Sequence, residues 1–192
     1  MKKYLFAIIM LFIYSNSFAQ HQPNSLTIQP RIALNISNIT DGGGSDSRFG
    51  LGAGFELEYQ LNKRFSVAGG LLYSMQGAKN RIKDMDVTLK MDYVNMPILC
   101  NIYLNKYVAL KVGVQPGFNV NHKFEIEKEG ITAETDKEGV KTFDFSIPMG
   151  LSFEYNNVVI DGRFNLGMTK MFESGDNENT VFQFSIGYKF DI

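Results

Sequence analysis

The sequence predicts an all-β chain: an eight-stranded, antiparallel, up-and-down transmembrane β-barrel preceded by a cleavable signal peptide. Three observations carry this reading. Apolar and polar residues alternate with period two through eight separate segments, giving each segment one greasy face and one polar face. The connections between segments alternate long and short, the rhythm of a barrel with long loops on one side of a membrane and tight turns on the other. After the N-terminus no apolar stretch is long enough for a spanning helix, so a chain that enters a bilayer must do so as a closed barrel.

The first segment is read as targeting, not structure. Lys2 and Lys3 supply positive charge, Tyr4 to Ile13 form a short apolar run, and Ser17-Phe18-Ala19 places small residues where a signal peptidase reads them. Cleavage is expected after Ala19, dividing the chain into a signal peptide (1–19) and a barrel domain (20–192). Gln20, not Cys, follows the cut, which argues against a lipid anchor.

The strands follow in order. Strand one alternates Leu26, Ile28, Pro30, Ile32, Leu34 and Ile36 with Thr27, Gln29, Arg31, Ala33, Asn35 and Ser37. A Gly-rich loop at Asp41–Asp46 leads to strand two, where Phe49, Leu51, Ala53, Phe55, Leu57 and Tyr59 oppose Gly50, Gly52, Gly54, Glu56, Glu58 and Gln60. A tight turn at Asn62-Lys63 gives strand three, Phe65 to Gln76. A charged loop is expected from Ala78 to Lys90. Strand four runs from about Met91 to Leu104, with Val94, Met96, Ile98, Cys100 and Ile102 on its apolar face. Asn105-Lys106 turns into strand five, where Val108, Leu110, Val112 and Val114 oppose Lys111, Gly113 and Gln115. A second charged loop is expected from His122 to Thr142. Strand six spans Phe143 to Tyr155, and Asn156-Asn157 is a hairpin turn because Asn tolerates positive φ. Strand seven sets Val158, Ile160, Phe164 and Leu166 against Asp161, Arg163 and Asn165. Strand eight alternates Phe182, Phe184, Ile186, Tyr188, Phe190 and Ile192 with Gln183, Ser185, Gly187, Lys189 and Asp191. Pro97, Pro116 and Pro148 fall inside strands, where a missing N–H interrupts pairing, and a shared belt of bulges or bends is expected there.

Composition excludes several functions. A formal charge of -1 with no Lys/Arg cluster argues against nucleic-acid binding. One cysteine, Cys100, allows no internal disulfide, and no Cys/His pattern suits a metal. Asp41–Asp46 lacks EF-hand spacing, and His122 reads as a loop histidine. No cofactor and no enzyme activity are expected, and Cys100 is expected to face lipid.

Alternation alone does not say which face is outside. The greasy faces are long and unbroken, and the polar faces are rich in Gly, Ser and Asn, which suit a crowded lumen. Aromatics gather near strand ends: Tyr59, Phe65, Tyr107, Tyr155, Tyr188 and Phe190 toward the tight turns, Phe49, Tyr73, Phe118, Phe143, Phe145 and Phe182 toward the loops. Two such girdles mark the two interfaces of a membrane. The polar faces then place Arg31, Glu56, Glu58, Lys111, Glu154, Asp161, Arg163, Lys189 and Asp191 in the lumen. A lone buried charge is costly, so these must pair, either as a plug or as the lining of a narrow pore.

Ser185, Gly187, Phe190 and Ile192 match the constrained positions of a pattern that resembles the C-terminal signal by which bacterial outer-membrane barrels are recognised for insertion. Beyond it, Gly70-Leu71-Leu72-Tyr73-Ser74-Met75-Gln76-Gly77, Tyr93-Val94-Asn95-Met96-Pro97, Gly113-Val114-Gln115-Pro116-Gly117 and Asp161-Gly162-Arg163-Phe164-Asn165-Leu166-Gly167 resemble segments of the PorT-like outer-membrane barrels of Bacteroidota, the porin family of that phylum. Ala68-Gly69-Gly70 departs from the glutamate often found before the leucines of strand three. The resemblance implies residence in the outer membrane, contact with its lipid, insertion by the barrel-assembly machinery, and no catalytic motif. The expected role is a structural, interaction or envelope-machinery accessory protein acting through external loops, with envelope proteins as partners. A narrow porin-like channel for ions or small solutes is the alternative.

Overall fold

The computed structural model describes residues 21–40, 46–82, 85–128, 131–135, 141–170 and 178–192. The expected signal peptide and the Asp41–Gly44 stretch lie outside the described residues. The strands are β1 (Leu26–Thr40), β2 (Asp46–Gln60), β3 (Phe65–Ile82), β4 (Met85–Asn95), β5 (Ile98–Tyr103), β6 (Val108–Lys128), β7 (Ile131–Thr135), β8 (Phe143–Tyr155), β9 (Val158–Lys170), β10 (Glu178–Tyr188) and β11 (Phe190–Asp191). They make eight staves: β4 and β5 share one, β10 and β11 share the last, and β7 is an addition beside the upper part of β6. Every neighbouring pair is antiparallel. β1 pairs with β2 on one side and with β10 and β11 on the other, which closes the sheet into a barrel and removes its edges.

The greasy side is outside. Arg31 is 3 % exposed and its neighbour Ile32 is 65 % exposed. The same parity holds along β2, β8 and β10, so a continuous apolar band from Leu51 to Phe184 faces outward while Gln, Asn, Ser and the ions fill the interior. Water does not tolerate so large an apolar patch, and hydrocarbon does. Cys100 is exposed on this outer wall.

The tight turns form as expected, and two use one device. The Asn62 side chain accepts hydrogen bonds from the backbone N–H of Arg64 and Phe65, and Asn105 accepts from Tyr107 and Val108. Asn156 and Asn157 sit at φ 48° and 69°, the conformation of a two-residue hairpin turn.

Two expectations are corrected. The stretches expected as charged loops are mostly strand: β3 continues to Ile82 against β4, and β6 continues to Lys128 against β4 and then β7. A strand needs about 9–11 residues to cross a bilayer, and β6 has 21. The extensions do alternate, Val87, Leu89 and Met91 against Asp86, Thr88 and Lys90, and Phe124 and Ile126 against Lys123, Glu125 and Glu127, but their many charges read as loop. The proline belt is also only partly formed. Strand pairing breaks at Met96-Pro97, and the β6–β8 ladder skips from Val112↔Met149 to Gln115↔Ser146, passing Pro148 without a change of register. Pro116 pairs in register with Phe145, and Pro148 with Asn165. Register shifts lie elsewhere: at Val120, between Asp92↔Asn121 and Tyr93↔Asn119, between Ser47 and Gly52 of β2, and between Glu178 and Thr180 of β10.

Candidate functional site

The lumen is filled in tiers, and its middle tier is built on a size rule. Arg31 lies across from Gly54 on one side and Gly187 on the other; Glu56 lies across from Gly70; Gly150 sits between Lys111 and Arg163. An eight-stranded barrel has an interior just wide enough for side chains, so a long ion on one strand needs its neighbour to have none. A Cβ on Gly70 would stand 2.8 Å from Glu56 Cγ.

In that space three cations surround two carboxylates. Arg31 Nη1 and Arg163 Nη1 reach Glu56 Oε1 at 2.5 and 2.8 Å, and Lys111 Nζ lies 3.7 Å from Glu56 Oε2. The same three reach Asp161: Lys111 at 2.9 Å, Arg31 and Arg163 at 3.2 Å each. Arg31 also donates to Ser185 Oγ. All five ions are buried. The tier carries one net positive charge.

The next tier, toward the tight turns, carries one net negative charge. Lys189 Nζ lies 2.8 Å from Glu58 and 2.7 Å from Glu154. Glu58 Oε1 also accepts from Ser66 Oγ and Tyr103 Oη, both at 2.5 Å. The two tiers together are neutral, which suits a site shielded from water.

Below it the rim is closed by His21. Its Nε2 lies 2.8 Å from Glu154 Oε1 and its Nδ1 2.8 Å from Asp191 Oδ1. The hydrogen bond to Glu154, helped by the charges of Glu154 and Asp191 and opposed by burial and by Lys189, raises the imidazole pKa above its ordinary 6.5.

Toward the external mouth the lumen turns mostly to amides and hydroxyls, with Asp144 accepting from Thr169 Oγ1 at 2.6 Å and Arg48 donating to the carbonyl of Gln76. Asn35 Nδ2 donates to Ser74 Oγ at 2.9 Å, Gln183 Nε2 donates to Asn35 Oδ1 at 2.8 Å, and Asn179 donates to Gln76. Ser37 bridges both backbone groups of Gly77, the one described glycine at positive φ, 137°.

The structure thus brings together eight of the nine charged residues singled out from the sequence. Asp191 is the exception. It was expected in the lumen and lies exposed at the rim, because the last stave breaks at Lys189 and its final residues run past the lumen's lower end. Of the C-terminal pattern, Ser185 faces the lumen beside Arg31, Gly187 packs against Gln29, and Phe190 and Ile192 face outward. Three participants were not anticipated. Tyr103 reads as greasy, yet it falls on the parity of Asn95 and Asn101, which was the available signal. Ser66 looked like filler. His21 stood too near the targeting segment to be weighed. His122 lies in β6, 3.1 Å from Asn119 Oδ1, away from every tier.

This arrangement can hold a barrel shut and rigid. Among the described residues no group of His, Cys, Asp or Glu is placed to hold a metal ion.

The family model for the outer membrane protein beta-barrel domain matches residues 18–173. No curated protein matches the sequence. Among solved structures, Ail, the attachment invasion locus protein of Yersinia pestis, superimposes with a TM-score of 0.54 at 20 % identity, covering 88 % of this chain and 100 % of its own. Ail in complex with the heparin analogue sucrose octasulfate matches at 0.54 and 18 %, again covering 88 % and 100 %. Neisserial surface protein A matches at 0.54 and 12 %, covering 86 % and 97 %. At those identities the likeness is one of fold. An outward apolar band, a closed sheet of eight staves and the family match over most of the chain converge: the protein is an integral barrel of the bacterial outer membrane and belongs to the outer membrane protein beta-barrel domain family.

Proposed function

We propose that the protein works as a non-enzymatic interaction protein, a rigid barrel that presents a strand edge above the membrane. The observation that carries this is the sheet beyond the lipid-facing band. β3, β4, β6 and β7 continue there as paired strands, and among the described residues β7 pairs with β6 alone, Ile131↔Lys128 through Thr135↔Phe124. A strand paired on one side offers backbone N–H and C=O groups to an extended segment of another envelope or surface protein. The filled lumen supports a plug rather than the porin-like alternative. The PorT-like character and an accessory role in an envelope machine rest on the sequence segments that resemble that family, and the cleavage after Ala19 on the N-terminal pattern.

Thr132→Pro tests the reading, because in the β6–β7 register its N–H points away from β6, so it removes a donor from the open edge and leaves the staves alone. Envelope proteins that co-purify with the native barrel are expected to be lost from the variant, while its resistance to unfolding in lipid stays the same. Equal co-purification would refute the edge. In planar bilayers the folded barrel is expected to stay silent. Steady openings that change on neutralising Lys111 would favour the pore.

A further inference from the structure

The segment before β1 has a course of its own. Asn24, at φ 67°, turns the chain. Its N–H donates to the carbonyl of Gln60 at 2.7 Å, and the N–H of Gln60 donates to the carbonyl of Ser25 at 3.0 Å, which anchors the segment to the lower end of β2. From there it crosses the mouth to β8 and β11, where His21 sits with its side chain 8 % exposed. β8 stands on the far side of the opening, with β9 and β10 between it and β1. The segment therefore lies over the short-turn end of the lumen, the periplasmic end in barrels of this kind, and is tied down at both ends.

The tie at His21 has a chemical requirement. Both ring nitrogens face carboxylate oxygens, and ionised carboxylates only accept. A neutral imidazole carries one N–H, so it can satisfy one of these partners and must turn a lone pair toward the other; the imidazolium satisfies both. The charged groups facing the ring are Glu154 from β8, Asp191 from β11 and Lys189 from the link between β10 and β11. Two of the three favour the cation.

We propose that residues 21–25 form a proton-operated strap across the periplasmic mouth, held down while His21 is an imidazolium and released at its Asp191 end when the ring loses its proton. Asp191 is the partner that lets go, because its carboxylate already meets water, whereas Glu154 is held by Lys189 from inside. Release opens the lower ionic tier to the periplasm. Because the folded-state pKa of His21 is raised above 6.5, the strap's contribution is complete below about pH 6.5 and fades as the pH rises through the folded value.

The exported protein, purified from membranes and placed in lipid nanodiscs, provides the test. The chain has two histidines, so the nitrogen resonances of the His21 ring can be assigned by comparison with His122→Gln. Both ring nitrogens of His21 are expected to carry protons at pH 6, with a titration midpoint that falls in Asp191→Asn. Hydrogen-exchange protection at the Asn24 and Gln60 amides, corrected for intrinsic exchange, is expected to drop roughly tenfold between pH 6 and pH 9. In His21→Gln that protection is expected to be low and flat with pH. A neutral ring at pH 6, or protection in the native barrel that does not change with pH, would overturn the proposal.

Discussion

Below its waist the lumen is packed with mutually paired ions, and above it mostly with amides and hydroxyls, with Asp144 and Arg48 set singly among them. In the lower part each ion is shared: Glu56 and Asp161 each meet the same three cations, and Lys189 meets two carboxylates. In the upper part the bonds run through neutral groups, Gln183 to Asn35 to Ser74 and the Met75 carbonyl, Asn179 to Gln76. The difference teaches what a closed interior asks of its fillers. Shared ions must balance as a set, so the cost of losing one depends on the charge left behind. Neutral groups must balance bond by bond, so each loss stays local.

The largest test of that contrast is Glu56→Gln. It keeps the shape but leaves three buried cations around one carboxylate. A loss of about 3–5 kcal/mol is expected in the urea unfolding free energy in lipid vesicles, as for a broken buried pair. Arg163→Met goes the other way: Arg31 and Lys111 remain against Glu56 and Asp161, so each middle-tier carboxylate keeps two cations, and the one net negative charge left falls on the lower tier. The expected cost is about 1.5–3 kcal/mol, that of the charge-assisted hydrogen bonds lost. A larger loss from Arg163→Met than from Glu56→Gln would break the idea of a shared balance. Gly70→Ala probes size alone. Its methyl meets the Phe55 carbonyl oxygen at 2.6 Å and Glu56 Cγ at 2.8 Å, so it strains the β2 backbone as well as the carboxylate, for an expected loss of about 1–3 kcal/mol. The smallest effect is expected from the upper tier. Asn35→Ala leaves Gln183 without its acceptor and should cost about 1–2 kcal/mol at any salt concentration.

Much of this was legible in the sequence, and the reasons are particular. Parity alone puts Arg31 inside and Ile32 outside, because a strand's side chains alternate and lipid accepts only one of the two. Asn at the head of each short turn announced the turn. What parity cannot supply is who meets whom. Glu56 and Arg163 stand 107 positions apart and on strands that are not neighbours, so their meeting depends on the closure of the barrel. Tyr103 was hidden by its aromatic ring, since a tyrosine that keeps its hydroxyl in the lumen looks like one that faces lipid. The strand extensions were legible in the alternation of Val87, Leu89 and Met91 and of Phe124 and Ile126, but the charges between these residues were read as loop composition. Asp191 kept the right parity but ran out of lumen.

The pairing of four of the five central ions with a glycine across the strand has a consequence for how such a sequence can change over time. An ion can be gained in one stave only after a neighbouring stave has given up its side chain, and a methyl on Gly70 would meet both Glu56 and the backbone beside it. The middle of the lumen is therefore expected to alter in coupled, two-site steps: Arg31 with Gly54 and Gly187, Glu56 with Gly70, Lys111 and Arg163 with Gly150. The outer wall has no such partners to consult, and one aliphatic residue can replace another there freely. Two surfaces of the same strand, separated by a single residue, would then drift at different rates.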